Sequence, residues 1–225
     1  MALIAPSLLA ADLARLGETL RQWQVAGATM VHVDVTDGHF LPDITVGQPV
    51  IQSLRKATDL ILDIHLQVER AERYASQFAE SGADRVAIPV GNAPNAYRVL
   101  GAIRAQGALA GLAADPSTAI DSLGDALEDA DYLLLILTES GPAHSPFLRR
   151  SIQRVLAAAA LRRERGLRYA IEVEGGIGLG QVEELREAGA DILVPSSDIF
   201  ENDAPLGRLG DMVRLAAAAG KSSRS

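Results

Sequence analysis

The chain contains no cysteine, so neither disulfide bonds nor thiolate metal ligands are available to it. Aromatic residues are also scarce, at 4% of 225 residues, whereas hydrophobic residues make up 48%. The core must therefore be filled mainly by Ala, Leu, Val and Ile, which suits helices packed in layers on a sheet. A chain of this length can bury roughly 70% of its unfolded surface, so a sizeable core is feasible.

Basic segments and long apolar runs are missing as well. Asp and Glu number 29 against 21 Lys and Arg, a net charge of -8, and no basic stretch could follow a phosphate backbone. No apolar run reaches the ~18 residues that a membrane helix needs. We therefore expect a cytoplasmic protein with neither a nucleic-acid nor a membrane partner.

Short apolar runs alternate with amphipathic stretches along the whole chain. Ala-Gly-Ala stands at 26–28 and at 188–190 and Ser-Gly-Ala at 81–83, each closing a predicted helix just before a predicted strand. The pattern predicts strands over 3–7, 30–35, 60–65, 85–88, 109–113, 132–137, 169–173 and 192–194. It predicts helices over 12–25, 48–56, 71–81, 96–106, 119–127 (weak), 148–164, 179–188 and 205–218.

Eight βα units in one domain of this length predict a single (β/α)8 TIM barrel over residues 1–219, with a disordered tail at 220–225. The alternative is an open doubly wound sheet. The barrel is favoured because polar residues follow the C-terminal ends of most strands, where barrel enzymes keep their chemistry. An open sheet would concentrate them at one switch point.

Polar side chains mark the ends of four predicted strands, the first of which ends at Ser7. His32 and Asp34 are two residues apart and therefore share one face of their strand, and His65 ends the next strand. Two imidazoles and a carboxylate can hold a divalent metal. Asp34 and Glu174 end strands that lie well apart around the ring, so they could approach a substrate from opposite sides. Two carboxylates so placed suit epimerisation at a carbon next to a carbonyl, with a metal stabilising the enediolate.

Three motifs together resemble those of the ribulose-phosphate 3-epimerases. They are Ile-Ala-Pro-Ser-Leu-Leu-Ala-Ala-Asp at 4–12, His-Val-Asp-Val-Thr-Asp-Gly-His-Phe at 32–40 and Asp-Ile-His-Leu at 63–66. The order of the βα units is similar over the whole chain. The resemblance implies a barrel of the ribulose-phosphate-binding type and a sugar phosphate substrate, and it suggests a homo-oligomer.

The resemblance also implies a set of site residues. Asp34 and Glu174 would be the two acid/base residues, and both would share one divalent metal (Zn, Mn, Fe or Co) with His32 and His65. Ser7 would face the substrate. Further substrate-binding positions would be Gln67, Gly175, Gly176, Ser196 and Ser197.

Several positions depart from the family pattern. The family has Asp where this chain has Glu174, and it has methionines where this chain has Thr36, Gln67 and Ile136. The loop at 138–146 retains little of the family's glycine-rich motif. Because Glu is one methylene longer than Asp, its carboxylate moves by about 1 Å, a displacement that can cost ~100-fold in rate.

The expected phosphate site is altered too. Barrel enzymes often bind phosphate through backbone N–H groups after strands 7 and 8. Here Pro195 has no N–H to donate, and Asp198 would repel a phosphate dianion. Four residues could still donate hydrogen bonds: Gly175, Gly176, Ser196 and Ser197.

The main hypothesis from sequence is a metal-dependent 3-epimerase of a ketopentose phosphate. A second hypothesis is an epimerase or isomerase of a different ketose, either unphosphorylated or otherwise modified, favoured by Pro195, Asp198, Thr36 and Gln67. A third is a non-catalytic homologue, favoured by the lost loop motif and by Glu174.

Overall fold

The fold was analysed in a computed structural model that describes residues 1–92, 95–138 and 147–218. Eight parallel strands form one sheet in the order β1-β8-β7-β6-β5-β4-β3-β2. The strands are β1 Leu3–Ile4, β2 Met30–Thr36, β3 Ile61–Gln67, β4 Arg85–Pro89, β5 Leu109–Ala114, β6 Tyr132–Ile136, β7 Ala170–Glu174 and β8 Ile192–Val194. This sheet confirms the prediction of a (β/α)8 barrel.

The ring closes between β1 and β2 through the segment that follows β1. Ser7 forms an isolated parallel bridge with His32, and the His32 amide donates to the Pro6 carbonyl at 3.0 Å. On the other side of this segment, the Ser7 amide donates to the Pro195 carbonyl at 2.9 Å. The two ends of the strand order, β1 and β2, are therefore joined, which an open doubly wound sheet would not allow.

Helices cover the outside of the barrel, as the sequence pattern predicts. They are α1 Leu16–Val25, α2 Gln48–Ala57, α3 Ala71–Glu80, α4 Ala96–Arg104, α5 Ser151–Glu164, α6 Leu179–Ala188, α7 Ser197–Phe200 and α8 Pro205–Ala217. Within the described segments, none of these helices is long and apolar enough to cross a bilayer.

Two helical details differ from the prediction. The weak helix expected over 119–127 is instead a 3-10 segment, Ile120–Asp129, broken at Gly124, whose φ is 22°. The short helix α7 after β8 was not predicted, because four residues are too few for a periodic pattern. The tail at 220–225 and the loop at 139–146 lie outside the described residues.

Alternation along the strands separates an apolar layer from a polar interior. In β2, Val31, Val33 and Val35 belong to the apolar layer between the sheet and the helices, whereas His32 and Asp34 occupy the intervening positions. The same alternation holds in β3 and β7. Each buried aliphatic side chain contributes about 1.5–3 kcal/mol relative to exposure, so this layer fixes which residues face inward.

The bottom of the barrel is filled by an aromatic ring that needs a glycine beside it. Tyr132 on β6 is 1% exposed and lies against Gly111 on β5. A Cβ added at Gly111 would lie 2.3 Å from the Tyr132 Cζ atom. On another side of the ring, the Arg85 guanidinium carbon lies 3.9 Å from the ring centroid. The small residue on β5 therefore makes room for a tyrosine that packs against a buried cation.

We expect Gly111→Ala to lower the free energy of unfolding by about 1–3 kcal/mol, because the added methyl group overlaps the Tyr132 ring. Gly101→Ala in α4 is the matched control, since a Cβ there meets nothing within 4 Å, and it should stabilise by about 0.5–1 kcal/mol. Urea unfolding of both variants measures the difference. Equal stabilities of the two variants would contradict the packing argument.

Candidate active site and metal centre

Four polar side chains converge inside the C-terminal half of the barrel. His32 and Asp34 come from β2, His65 from β3 and Glu174 from β7. The strand register places Asp34 opposite His65, so their side chains point inward at the same level. All four residues are buried, and none is more than 9% exposed. The site was expected from sequence at these positions, and the fold brings all four together.

The four residues form a closed ring of contacts. His32 Nε2 lies 3.4 Å from Asp34 Oδ1 and 3.0 Å from Glu174 Oε2. His65 Nδ1 lies 3.3 Å from Asp34 Oδ1 and 3.2 Å from Glu174 Oε1. Each imidazole therefore faces both carboxylates, and the two carboxylates approach the centre from β2 and β7.

This arrangement fits a divalent metal. One donor atom from each of the four residues lies within 4.8 Å of all the others. His32 Nε2 and Glu174 Oε2 are buried and lack a hydrogen-bond partner of acceptable geometry among the described residues. Buried polar atoms without a partner are costly unless something else satisfies them. Two imidazoles and two carboxylates are a donor set that Zn²⁺, Mn²⁺, Fe²⁺ and Co²⁺ accept.

The electrostatics of the metal-free cluster show strong mutual attraction. Burial opposes the charged form of His65, but Glu174 and Asp34 outweigh it and raise its pKa to about 9. Burial also opposes the charged form of His32, but the carboxylates of Asp34, Asp63 and Glu172 outweigh it and raise the pKa of His32 well above its ordinary value. Against their own burial, Asp34 and Glu174 have lowered pKa values because both face imidazoles. Both carboxylates are therefore held ionised, as metal ligands and proton acceptors must be.

Two neighbours hold Asp34 in place. The Ser7 hydroxyl donates to Asp34 Oδ2 at 3.1 Å and accepts from the Leu9 amide at 3.2 Å, so Ser7 both caps a turn and contacts the site. The Gln67 amide nitrogen lies 2.8 Å from Asp34 Oδ1 and 3.0 Å from His65 Nδ1. Gln67, which stands where the family has a methionine, therefore makes polar contacts with both Asp34 and His65.

Below this cluster lies a second charged layer that sequence reasoning only partly found. Asp63 and Glu172 contact His32 Nδ1 at 2.6 and 3.4 Å, and Arg85 forms ion pairs with both carboxylates. Asp63 lies two residues before His65 on β3, so the sequence places both on the inward face, whereas no motif indicates Glu172 or Arg85. Two features of the sequence could have indicated these residues. Glu172 and Glu174 are two positions apart and therefore share one face of β7, and Arg85 is a charged residue at the start of an apolar strand.

This lower layer has the donor set of a metal site but already contains a cation. Donor atoms of His32, Asp63 and Glu172 lie within 4.8 Å of one another. The Arg85 guanidinium bonds to both carboxylates and supplies the positive charge there. Burial and the nearby Asp63 carboxylate nevertheless raise the pKa of Glu172 to about 7.

The expected phosphate-binding residues lie where the loops after β7 and β8 meet. Gly175 and Gly176 both have positive φ, at 105° and 62°. A Cβ at Gly175 would meet the Thr138 hydroxyl at 2.6 Å, so glycine is required there on two counts. Ser196, with φ −136° and ψ −89°, immediately precedes α7, and Ser197 begins that helix.

Asp198 is paired, which changes what the sequence suggested about it. Its carboxylate lies 2.9 Å from Arg208 Nε and accepts a hydrogen bond from the Leu179 amide at 3.3 Å. The negative charge is therefore partly balanced by a guanidinium from α8. At the same time it satisfies an amide at the N-terminus of α6, beside the loop that carries Gly175.

A cavity of about 470 Å³ opens beside the cluster, a size typical of small-molecule sites. His65 and Gln67 contribute to its wall, and the remaining lining comes from the loops after β2 and the ends of β4 to β6. Its polar groups away from the cluster are Asp115, Ser117 and Arg150. Of the three family methionine positions, Ile136 and Gln67 line this cavity, and Thr36 is buried.

The fold and this site are those of a (β/α)8 barrel with a buried cluster of side chains suited to a divalent metal. The sequence model described as Ribulose-phosphate 3 epimerase family matches residues 3–200. The chain is 37% identical over 217 residues to ribulose-phosphate 3-epimerase of Mycobacterium bovis, covering 96% of this chain and 94% of that protein. The Aquifex aeolicus ribulose-phosphate 3-epimerase is 36% identical over 200 residues, covering 89% and 90%. The chain therefore belongs to the ribulose-phosphate 3-epimerase family and is an isomerase acting on carbohydrates.

Solved structures with low sequence identity share the barrel. KGPDC from Streptococcus mutans superposes with a TM-score of 0.71 at 13% identity, covering 96% of this chain and 97% of that one. The 3-hexulose-6-phosphate synthase from Salmonella typhimurium superposes with a TM-score of 0.67, also at 13% identity, covering 96% and 98%. At this identity the likeness supports the fold alone.

We expect His65→Ala to weaken binding of Zn²⁺ or Co²⁺ by at least ~10-fold, because it removes one of four donors from a buried site. His39→Ala is the matched control, since His39 is exposed in the loop after β2 and should leave metal affinity unchanged. Competition with a chromophoric chelator measures both dissociation constants. Equal affinities of the two variants would show that the metal binds elsewhere.

Proposed function

We propose that the chain interconverts ribulose 5-phosphate and xylulose 5-phosphate by inverting C3, with Asp34 and Glu174 as the two acid/base residues. The observation that carries this proposal is the approach of two ionised carboxylates, from β2 and from β7, to the same pair of imidazoles. The sequence similarity to the ribulose-phosphate 3-epimerases of Mycobacterium bovis and Aquifex aeolicus supports this substrate.

The two carboxylates divide the proton transfers. One carboxylate takes the C3 proton, which leaves an enediolate. The other carboxylate takes a proton from solvent and, in its acid form, delivers it to the opposite face of C3. A second, solvent-linked transfer resets both groups, so the reaction consumes no net proton. Ser7 donates to Asp34 and Gln67 lies in hydrogen-bond contact with it, which orients this carboxylate toward the centre.

The metal would be held by His32, Asp34, His65 and Glu174, and we propose Zn²⁺, Mn²⁺, Fe²⁺ or Co²⁺ on the basis of this donor set. When bound, it would supply positive charge where negative charge develops on the substrate oxygens. The chain itself excludes bulk water from this point, since all four residues are buried. Their mutual contacts also keep the ligands in place before the substrate enters.

We further propose that the substrate phosphate binds at the junction of the loops after β7 and β8. Gly175, Gly176, Ser196 and Ser197 would donate to it from backbone or hydroxyl groups. Both glycines lie directly after Glu174 in the chain, so the phosphate and the reacting carbon would be fixed by one loop. A homo-oligomeric state, which rests on the family, and a cytoplasmic location, which rests on the sequence pattern, remain predictions.

We expect Asp34→Asn and Glu174→Gln each to lower kcat for the epimerisation by ~100-fold or more, because each removes one of the two acid/base groups. Proton NMR in D₂O, with ribulose 5-phosphate and Zn²⁺ or Mn²⁺, follows both deuterium entry at C3 and formation of xylulose 5-phosphate. The matched control is Glu80→Gln, at the exposed end of α3, which should behave as wild type. Wild-type protein that binds metal yet exchanges no C3 hydrogen would reject the proposal for this substrate.

An epimerase of a ketose without phosphate is the second candidate, and the hydrogen bond that the Leu179 amide donates to Asp198 favours it. The carboxylate occupies an amide of α6 next to the proposed phosphate loop, so it competes for the same kind of donor. We expect ribulose 5-phosphate to have at least ~10-fold higher kcat/KM than free ribulose, as one charge-assisted anion contact would give. A reversed preference, measured with both sugars at matched metal loading, would select the second candidate.

A further inference from the structure

Arg85 is a cation placed inside the barrel, where charge is expensive. It opens β4 and is 5% exposed. Removing an ion from water costs several kcal/mol unless partners satisfy it. Its Nε donates to Asp63 Oδ1 at 2.9 Å, and its Nη2 donates to Glu172 Oε2. The guanidinium fork therefore bonds two carboxylates from two different strands.

The surroundings of Arg85 are shaped to hold it. Tyr132 presents its ring face to the guanidinium at 3.9 Å from the ring centroid, a favourable cation–π contact. Tyr132 in turn occupies space that is free because residue 111 is a glycine and has no Cβ. Arg85 on β4 thus contacts residues of three other strands: Asp63 of β3, Tyr132 of β6 and Glu172 of β7.

Both carboxylates that bind Arg85 also contact the same nitrogen of His32. His32 Nδ1 lies 2.6 Å from Asp63 Oδ2 and 3.4 Å from Glu172 Oε1. With Nδ1 engaged from below, Nε2 is left to face Asp34 and Glu174 above. A ligating histidine normally has its second nitrogen fixed in this way, and loss of that contact typically costs 10–100-fold in metal affinity.

We propose that Arg85 is a positioning residue for the metal centre: it holds Asp63 and Glu172 beneath His32, so that the imidazole presents Nε2 to the metal. The inference rests on the metal site of the proposed function but not on its substrate or reaction. Arg85 is not one of the four proposed ligands and would act on the site through Asp63 and Glu172.

A purely structural role for Arg85 makes a different prediction, and Arg186 provides the comparison. Arg186 is similarly buried at 8% exposure, but it lies outside the barrel interior, where it donates to the Leu215 and Ala218 carbonyls at 2.8 Å. Loss of either arginine should destabilise the fold. Only loss of Arg85 should alter the metal site.

The experiment compares Arg85→Lys and Arg85→Met with Arg186→Lys and Arg186→Met. Lysine keeps the charge but cannot bond two carboxylates as a fork, so Arg85→Lys serves if the methionine variant does not fold. Affinity for Co²⁺ alone is measured by chelator competition, without substrate. We expect ~10-fold weaker binding for Arg85→Lys and ~100-fold for Arg85→Met, with both Arg186 variants within about twofold of wild type.

A second readout uses the metal-free protein. In wild type, NMR of ¹⁵N-labelled histidine should show a hydrogen-bonded Nδ1–H on His32, and Arg85→Lys should shift or broaden that signal while Arg186→Lys leaves it unchanged. Unaltered Co²⁺ affinity and an unaltered His32 signal in Arg85→Lys would overturn the proposal. Because neither measurement uses a substrate, the proposal can survive or fail independently of the epimerase assignment.

Discussion

The His32 imidazole joins the two charged layers of this barrel, and the arrangement of the site depends on it. Through Nδ1 it meets Asp63 and Glu172, and through Nε2 it meets Asp34 and Glu174. The same residue pairs with the segment after β1 and so helps to close the ring. The residue that helps to close the barrel therefore also contributes a nitrogen to the candidate metal site. Because His32 is fully buried, neither layer can rearrange without changing the other.

Concentrated charge in the barrel interior is stable only because each group is paired. Buried carboxylates near one another would repel strongly, but Arg85, His32 and His65 are distributed among them. Packed apolar residues in the same space would often be as stable or more stable. The polar interior is thus better explained by chemistry than by stability. The apolar layer between the strands and the helices supplies the folding energy that such an interior requires.

Departures from the family pattern lie mainly at the edge of the site. The centre keeps two imidazoles and two carboxylates, whereas Gln67 adds a polar contact to Asp34 and His65. Asp198 turns toward Arg208 and an α6 amide. The departures therefore fall mainly on groups around the four-residue cluster rather than on the cluster itself. The longer side chain of Glu174 still reaches both imidazoles, so the extra methylene does not withdraw its carboxylate from the cluster.

The sequence by itself determined the eight βα units and the inward position of His32, Asp34 and His65, since a two-residue period sorts strand faces without knowledge of the fold. It also singled out Glu174 at the end of the seventh predicted strand, although the role of Glu174 as a metal ligand came only through a resemblance. The ring of contacts among these four, the ion pair of Asp198 and the role of Ser7 as both cap and contact could not be read from it. Nor could the bonding of Arg85 to Asp63 and Glu172, which lie 22 and 87 positions away. Such contacts are decided by which strands become neighbours and in what register, and only the closed barrel supplies that information.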